Sequence, residues 1–309
     1  MINEIYVTHC DVNYFSRCLA MLRSIRGNGD QTKIVVFLEE VTTNLLNAVP
    51  ENVSLLPKSV LEELYPTFFD RISTRPYLER LYAQTPLLVD YCFKYEECER
   101  VTYIDSDLYF LRNLSQITNQ FQEQIFLTTH DFSPGLEELL VKGKYNVGIV
   151  SFLRKHPSLM TLKWWYDRCF ESTSTENVKD VFGDQKYLDQ FHAFGASIRE
   201  LPGRSFCAAP WNIEKVILFK SKILDLESQN EIAVIHFSGL RKYQRFAILS
   251  FSFYNKLPHN SAKKLLYRPY VRQLAQIEKE IFGENKSDFR GRNIRLWMRC
   301  LMKRDFIHY

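Results

Sequence analysis

The chain has 309 residues, of which 46% are hydrophobic and 25% are charged, so it is long enough to bury a substantial core. Its formal net charge of +4 is too small to indicate a nucleic-acid-binding protein by itself. We find no run of about 18 apolar residues that would predict a transmembrane helix, and no signal peptide ahead of the first predicted strand.

The first elements along the chain alternate between strand and helix. IYVTHC (5–10) predicts a buried strand, and the apolar residues of FSRCLAMLRSIR (15–26) recur with helical spacing. KIVVFLEE (33–40) predicts a second strand and NVSLLP (52–57) a third. A strand, a helix and a strand at this spacing form a βαβ unit. Such a unit predicts a parallel sheet with a ligand crevice at the carboxyl ends of its strands.

The later elements extend the same α/β pattern. Further helices are predicted at 77–95, 158–172 and 184–194, and further strands at 101–110, 124–131, 145–154 and 231–239. The chain beyond about residue 251 is predicted to be helical, with breaks at Pro258, Pro269 and Gly283. We therefore expect an α/β domain at 1–250, with a mostly parallel central sheet, and a helical extension at 251–309.

The predicted strand VTYIDSDLYF (101–110) carries two residues that strand propensity disfavours. Asp105 and Asp107 are separated by one residue, so in an extended chain their carboxylates lie on one side and repel each other. A divalent cation compensates such a pair, and carboxylate oxygens suit Mg²⁺ or Mn²⁺. The alternative is a solvated turn at a strand end, since the Asp-x-Asp tripeptide is common.

Four other stretches place polar residues next to the ends of predicted elements: DVNY at 11–14, NVG at 146–148, DQ at 184–185 and HFSGLRK at 236–242. Each has a purely structural alternative. Asn13 and Asp184 are candidate helix N-caps, and the backbone alone is able to satisfy the Asn146 amide. A lone histidine after an apolar strand, as at His236, is usually structural.

Taken together, the five ordered motifs resemble those of the GT-A glycosyltransferases over about residues 5–245. The similarity is greatest to family 8, which includes glycogenin and bacterial lipopolysaccharide galactosyltransferases. Residues 158–215 look more like a bacterial group of uncharacterised glycosyltransferases of the same superfamily. The resemblance implies a single GT-A domain and a metal-dependent enzyme that moves a hexose from a nucleoside-diphosphate sugar to a saccharide or cell-surface glycan. Relatives use UDP-sugars and retain the anomeric configuration, which implies no dedicated carboxylate base.

The resemblance also assigns the site residues. Asp105, Asp107 and His236 are the implied ligands of Mn²⁺ or Mg²⁺, and Asp131, Asp184 and Gln185 the implied catalytic residues around the transferred sugar. The residues implied to contact the nucleotide-sugar are Thr8, Asp11, Asn13, Tyr14, Arg80, Ser106, Asn146, Gly148, Gly239 and Lys242.

Within that set the roles differ. Asp11 is expected to accept from the uracil N–H, Asn13 to meet the ribose and Tyr14 to stack on the base. Lys242 is expected to neutralise the leaving diphosphate, although Tyr243-Gln244 stand where the family often has Pro-Trp. Asp131 resembles a sugar-contacting residue and would be the base of an inverting enzyme. The spacing of Arg80 differs from that of the family's arginine, and a surface ion pair explains it equally well.

Two other functions use the same residues. A nucleotide-sugar hydrolase or a nucleotidyltransferase shares the metal site, but CDVNYFSR (10–17) stands where nucleotidyltransferases usually have a Gly-rich basic loop. A non-catalytic sugar-nucleotide-binding protein is the third alternative. All five motifs keep chemically competent residues, which argues against it.

The last part of the chain is basic. NIRLWMRCLMKRDF (293–306) wound as a helix is a basic amphipathic segment, with a tryptophan suited to a membrane interface. The resemblance to bacterial lipopolysaccharide transferases implies a peripheral contact with the inner face of the cell membrane. Docking of a terminal helix on its own domain is the alternative. Seven cysteines without zinc-type spacing favour reduced thiols and a cytoplasmic protein.

Overall fold

The computed structural model describes residues 2–176, 180–219, 222–243, 246–254, 262–284 and 305–308. Within these ranges the strands are β1 Glu4–Cys10, β2 Lys33–Leu38, β3 Val53–Pro57, β4 Arg100–Ile104, β5 Leu108–Phe110, β6 Ile125–Thr129, β7 Tyr145–Leu153, β8 Ile198–Leu201, β9 Cys207–Ala208, β10 Val216–Phe219, β11 Lys222–Asp225, β12 Val234–His236, β13 Arg241–Lys242, β14 Phe246–Ile248 and β15 Phe306–His308.

The α-helices of the same ranges are α1 Phe15–Gly27, α2 Thr43–Ala48, α3 Ser59–Leu64, α4 Pro66–Ile72, α5 Tyr77–Tyr95, α6 Leu114–Thr118, α7 His156–Glu171 and α8 Arg268–Phe282. Turns of 3₁₀-helix lie at Glu137–Lys142, Lys186–Phe194, Ile213–Lys215 and Phe251–Tyr254, and a π-helical turn at Lys263–Tyr267. The helix predicted at 184–194 is therefore a 3₁₀-helix, and α2, α3 and α4 were not predicted.

A seven-stranded sheet with the order β3-β2-β1-β4-β7-β6-β8 forms the centre of the molecule. Strand β1 pairs in parallel with β2 and β4, β2 with β3, and β6 with β8. Strand β7 is antiparallel to both of its neighbours, β4 and β6. The α/β fold with a mostly parallel central sheet, predicted from the sequence, is confirmed.

The central sheet is buried on both faces because its strands contribute alternate side chains to two cores. In β1, Tyr6 belongs to one core, whereas Ile5 and Val7 belong to the other. Helices α1 and α8 cover the first face, and α5 and α7 cover the second. This double burial explains why the central strands read as nearly continuous apolar runs.

A second, three-stranded sheet lies beside the first and carries His236, one of the three predicted metal ligands. Strand β12 pairs antiparallel with β5 and parallel with β9. The single strand predicted at 101–110 is wrong in this respect, because the chain leaves the central sheet after Ile104 and enters the second sheet at Leu108. A turn separates them, in which the Leu108 N–H donates to the Asp105 carbonyl at 3.3 Å. Two carboxylates have no place in an interior strand of an apolar sheet.

The described residues beyond 250 pack against the domain rather than apart from it. Tyr267, Val271 and Leu274 belong to the same core as the side chains of α1. Strand β14 pairs with β13 on one side and with β15 on the other. The domain boundary at residue 250 stays a prediction.

The basic segment predicted at 293–306 lies outside the described residues, except for its last two positions. Asp305 is fully buried and its carboxylate accepts from the Phe251 N–H at 3.0 Å, and Phe306 begins β15. These two residues contact the domain, and the described chain gives no support to the membrane contact. Among the described residues, no helix is both long enough and apolar enough to cross a membrane.

Candidate metal and donor site

The turn between β4 and β5 brings the two acidic side chains to the carboxyl end of the central sheet. The Asp105 N–H donates to the Gly148 carbonyl of β7 at 2.9 Å, so the turn begins while still attached to the central sheet. The Asp107 carbonyl accepts from the Phe237 N–H at 3.1 Å, so the turn ends attached to the second sheet. Asp105 and Asp107 are therefore held from both sides.

His236 reaches the same place from 129 residues further along the chain than Asp107, through the pairing of two short strands. It is the last residue of β12 and lies opposite Leu108 in the register of β5. Its Nε2 lies 3.1 Å from Oδ1 of Asp107 and 3.6 Å from Oδ2 of Asp105. One potential ligand atom from each of the three side chains falls within 4.8 Å of the others, as a single metal ion requires.

The ionisation of the three groups is mutually dependent. Burial lowers the pKa of His236, but Asp107, which is hydrogen-bonded to it, and Asp105 outweigh this and raise that pKa above its ordinary value. Burial raises the pKa of Asp105, with repulsion from Asp107 adding to it. For Asp107 the burial effect is overcome by His236, and its pKa is lowered. The two carboxylates supply hard oxygen ligands and the imidazole one nitrogen ligand, a set that suits a divalent metal ion.

Two further residues orient these ligands. The Tyr103 hydroxyl donates to Oδ1 of Asp105 at 2.8 Å, which leaves Oδ2 as the oxygen nearer His236. A Cβ atom placed on Gly148 would lie 3.2 Å from Nδ1 of His236, so only glycine leaves the imidazole its full space. Partners of this kind fix the direction of metal ligands in proteins.

The metal site opens into a cavity of about 530 Å³, which is within the usual range of small-molecule sites. The structure brings most of the sequence-predicted site residues to its wall: Asp11, Tyr14, Asp105, Ser106, Asp107, Asn146, Asp184, Gln185, His236 and Gly239. Gly148 lies directly behind that wall, against Asn146 and His236.

Asp11 organises one end of the cavity. Its Oδ1 accepts from the backbone N–H groups of Asn13 and Tyr14 at 2.8 and 2.9 Å, and its Oδ2 accepts from the Tyr77 hydroxyl at 2.7 Å. In the turn before α1 the side chain that accepts from the backbone is therefore that of Asp11. The predicted N-cap Asn13 makes no such cap, is exposed and lies off the cavity wall. The Arg17 guanidinium lies 4.4 Å from the Tyr14 ring centroid.

Asn146, Asp184 and Gln185 form another part of the wall. The backbone satisfies the Asn146 amide, as the structural alternative expected: its Nδ2 donates to the Thr129 carbonyl at 3.2 Å and its Oδ1 accepts from Gly148 N–H at 2.9 Å. Asp184 is buried, and this burial, with the nearby Asp105 charge, raises its pKa to about 7 against an opposing hydrogen bond from Thr85.

Besides Asn13, three predicted residues with no role in the cavity wall are Asp131, Arg80 and Thr8. Asp131 is exposed, with a φ of 44°, and its Oδ2 accepts from the Arg204 N–H at 3.2 Å. Arg80 donates to the Ser73 carbonyl at 3.4 Å rather than reaching the cavity. Thr8 is fully buried inside β1, so it has no access to a ligand.

Lys242 is also placed elsewhere. Its side chain is fully buried, and its Nζ lies 2.6 Å from Oε2 of Glu278 in α8. The hairpin of β13 and β14 turns the lysine toward the helix layer, and Lys242 is absent from the cavity wall. Motif spacing places this lysine after Gly239 but carries no information about the α8 carboxylate.

Sequence reasoning missed much of the wall. The unpredicted members include aromatic rings and one ammonium group: Tyr77, Tyr82, Tyr103, Phe132, Lys142, Phe182, Trp211 and Tyr254. Trp211 belongs to the APWN run at 209–212, in which the sequence motifs predict no site residue. Its ring packs edge-on against His236 with centroids 5.6 Å apart, and its Nε1 donates to the His130 carbonyl at 2.8 Å.

No model of a known protein family matches the chain. An uncharacterized Bacillus subtilis (strain 168) protein, YfnF, is 26% identical over 248 residues, which are 76% of this chain and 81% of the relative. Galactosyltransferase LgtC, solved in complex with donor and acceptor sugar analogs, superposes with a TM-score of 0.52 at 14% identity, over 94% of this chain and 99% of that one. An active-site mutant of LgtC superposes with a TM-score of 0.50 at 13% identity, over 88% of this chain and 95% of the mutant chain.

These superpositions cover nearly the whole chain, and they show that it has the GT-A glycosyltransferase fold. The predicted similarity to family 8 agrees with them, as does the position of Asp105 and Asp107 beside His236. At 13–14% identity the superpositions establish the fold alone.

Proposed function

We propose that this protein transfers a hexose from a nucleoside-diphosphate sugar, with UDP as the nucleotide, to a saccharide or cell-surface glycan. The observation that carries the proposal is the convergence of Asp105, Asp107 and His236 on one wall of a cavity of about 530 Å³. Charged ligands with this spacing suit a divalent cation, and a diphosphate is the substrate group that such a cation binds best.

Asp105, Asp107 and His236 hold Mn²⁺ or Mg²⁺ in this proposal. The bound ion supplies Lewis-acid stabilisation of the charge that builds up on the leaving diphosphate. The rings of Tyr14 and Tyr77 at the Asp11 end supply stacking faces for a base, and such stacking contributes about 1–3 kcal/mol per base. At the other part of the wall, Gln185 and Asp184 contact the transferred sugar.

Retention of configuration fits the carboxylates that the cavity offers. In the described part of its wall these are Asp11, Asp105, Asp107 and Asp184. Asp11 is engaged by three hydrogen bonds, and Asp105 and Asp107 face the metal. Asp184, which accepts a hydrogen bond from Thr85, is assigned in this proposal to the transferred sugar, and Asp131 lies off the wall. No dedicated base is then needed: the C1–phosphate bond breaks, the acceptor oxygen bonds C1 on the same face, and the acceptor proton passes to the leaving phosphate.

The first experiment measures thermal unfolding with Mn²⁺, UDP and both together. We expect the combination to raise Tm by several degrees more than either alone, because ligands that bind only the folded state stabilise it. Asp107→Asn should remove this gain, whereas Asp70→Asn, an exposed aspartate in α4, should keep it. A wild-type protein that gains nothing from Mn²⁺ and UDP together contradicts the proposal.

The second experiment separates transfer from hydrolysis. A panel of UDP- and GDP-sugars is incubated with Mn²⁺, with and without saccharide acceptors, and the products are identified. Transfer predicts an acceptor-dependent glycoside, whereas free sugar alone in every acceptor mixture would favour the hydrolase. Asp107→Asn should reduce metal-dependent turnover by about 1,000-fold, since Lewis-acid stabilisation amounts to several kcal/mol.

A further inference from the structure

Lys142 places an ammonium group in the wall of the cavity. It is the last residue of the 3₁₀-helix Glu137–Lys142, is partly buried, and lines the cavity together with Phe182 and Gln185. Within the described wall no other lysine or arginine is present. The resemblance-based assignment of a cation fell instead on Lys242, which is buried against Glu278.

Hydrogen bonds fix the backbone at this position. The Gln185 side chain donates from Nε2 to the Lys142 carbonyl at 2.9 Å. The next residue, Gly143, has a φ of 118°, donates its N–H to the Leu140 carbonyl at 2.9 Å and offers its own carbonyl to Nδ1 of His130 at 3.0 Å. The hydrogen-bonded backbone fixes the direction in which the Lys142 side chain leaves the chain, and that side chain lines the cavity.

Among the described residues, no carboxylate forms an ion pair with the Lys142 ammonium. Two nearby lysines, Lys144 and Lys186, each have such a partner. The Lys144 ammonium lies 2.6 Å from Glu200, and that of Lys186 lies 2.9 Å from Asp189. Lys142 Nζ instead lies 5.0 Å from the Phe182 ring centroid, a cation–π contact that leaves its N–H groups able to donate elsewhere. A partly desolvated ammonium without a carboxylate favours an anionic ligand.

We propose that Lys142 binds an anionic oxygen group of the substrate, a phosphate or a carboxylate. The group belongs either to the donor diphosphate or to an acidic sugar carried at the Gln185 side of the cavity. That the anionic group is part of a nucleotide-sugar or of an acidic sugar rests on the proposed function. That Lys142 forms an anion site does not rest on it. Lys142 thereby becomes a specificity-determining residue, because a cation at this position favours charged over neutral substrates.

The test measures binding to Mn²⁺-loaded protein by calorimetry. The probes are inorganic pyrophosphate, uridine, UDP, UDP-glucose and UDP-glucuronate, and the variants are Lys142→Gln, Lys142→Arg and Lys144→Gln as the matched control. Loss of one charge-assisted hydrogen bond should weaken the affected probe by about tenfold or more. Lys142→Arg should restore most of it, and uridine should be unaffected.

The pattern of losses identifies the source of the anion. Weaker pyrophosphate and UDP binding by Lys142→Gln indicates the diphosphate, whereas a loss confined to UDP-glucuronate indicates the sugar carboxylate. The proposal is overturned if Lys142→Gln binds all five probes as the wild type does, or if Lys144→Gln shows the same losses. Should pyrophosphate bind in a Lys142-dependent way while no nucleotide binds, the anion site stands and the nucleotide-sugar function fails. If no probe binds, both are rejected.

Discussion

Gly148 and His236 lie side by side in two sheets that share no strand, with no room for a side chain between them. A Cβ added to Gly148 would lie 3.2 Å from Nδ1 of the His236 imidazole and 2.8 Å from Oδ1 of Asn146. Asn146 Oδ1 is itself held by the Gly148 N–H, so it has little freedom to move away. Gly148, which is not a candidate metal ligand itself, therefore limits the space behind the candidate ligand His236.

Gly148→Ala should therefore weaken metal binding more than it weakens the fold. The added methyl displaces either Asn146 or the His236 ring, and loss of ligand orientation costs about 10–100-fold in metal affinity. Mn²⁺ affinity is measured by titration with calorimetric detection. Gly27→Ala is the control, since an added Cβ there meets nothing within 4 Å. Equal Mn²⁺ affinities for the two variants would refute the idea.

Tyr103→Phe should lower Mn²⁺ affinity by about tenfold, because the Tyr103 hydroxyl is the donor that directs Asp105. The cost to the free energy of unfolding should be only about 1 kcal/mol, the contribution of a single hydrogen bond. Tyr65→Phe is the control, because it removes a hydroxyl that also donates to an aspartate, Asp90, at 2.9 Å. Neither Tyr65 nor Asp90 lines the cavity. Tyr65→Phe should leave Mn²⁺ binding unchanged, and a metal affinity of Tyr103→Phe equal to wild type would show that Asp105 needs no such donor.

Glu4 should make the fold less stable as pH rises from about 4.5 to about 7. Burial raises the pKa of this carboxyl from 4.5 to about 7, against hydrogen bonding from Thr102 and the charge of Arg100. In this window the unfolded chain releases the Glu4 proton while the folded chain keeps it, so the free energy of unfolding falls. The full loss is about 3 kcal/mol above pH 7 and is absent below pH 4.5.

Urea unfolding of the wild type and Glu4→Gln, at pH 4.5, 6 and 8 with chelator present, checks this. The stability of Glu4→Gln relative to the wild type should increase with pH, because the amide does not ionise. A difference that stays constant over the three pH values would mean that Glu4 titrates normally in the folded protein.

Lys242→Met should destabilise the fold by about 3–5 kcal/mol, because it leaves the buried Glu278 carboxylate without its cation. Adding Glu278→Gln should recover part of the loss. Unfolding in guanidinium gives the stability, and UDP affinity with Mn²⁺ gives the ligand effect. If Lys242→Met keeps full stability but loses UDP affinity, the diphosphate role implied by the resemblance is correct after all.

Local pattern was sufficient for the framework of the site. The apolar runs around Ile5, Ile34 and Val147 predicted interior strands, and the spacing of Asp105 and Asp107 made them candidate metal ligands. His236 was assigned to the metal by the resemblance to the family. Local pattern did not predict which distant segments pair with each other. The split of 101–110 into two strands depends on β12, whose register with β5 no local window contains.

The errors at individual residues have the same cause, namely contacts between residues that are distant in sequence. Lys242 was assigned by its offset from Gly239, yet Glu278 in α8 determines where its ammonium lies. Lys142 and Tyr103 carry no local signal, since a lysine at a loop and a tyrosine in a strand are ordinary. Their importance arises from what Gln185 and Asp105 bring next to them.

The candidate metal ligands come from both sides of the boundary between the two sheets, since Asp105 follows β4 whereas His236 ends β12. An ion held between them adds a cross-link between the two sheets, beside the short turn at 105–107 that joins β4 to β5. Chelation should therefore loosen the small sheet before the large one. Amide hydrogens of Ile235 and His236 should exchange faster in the metal-free protein, while those of β1 keep their protection.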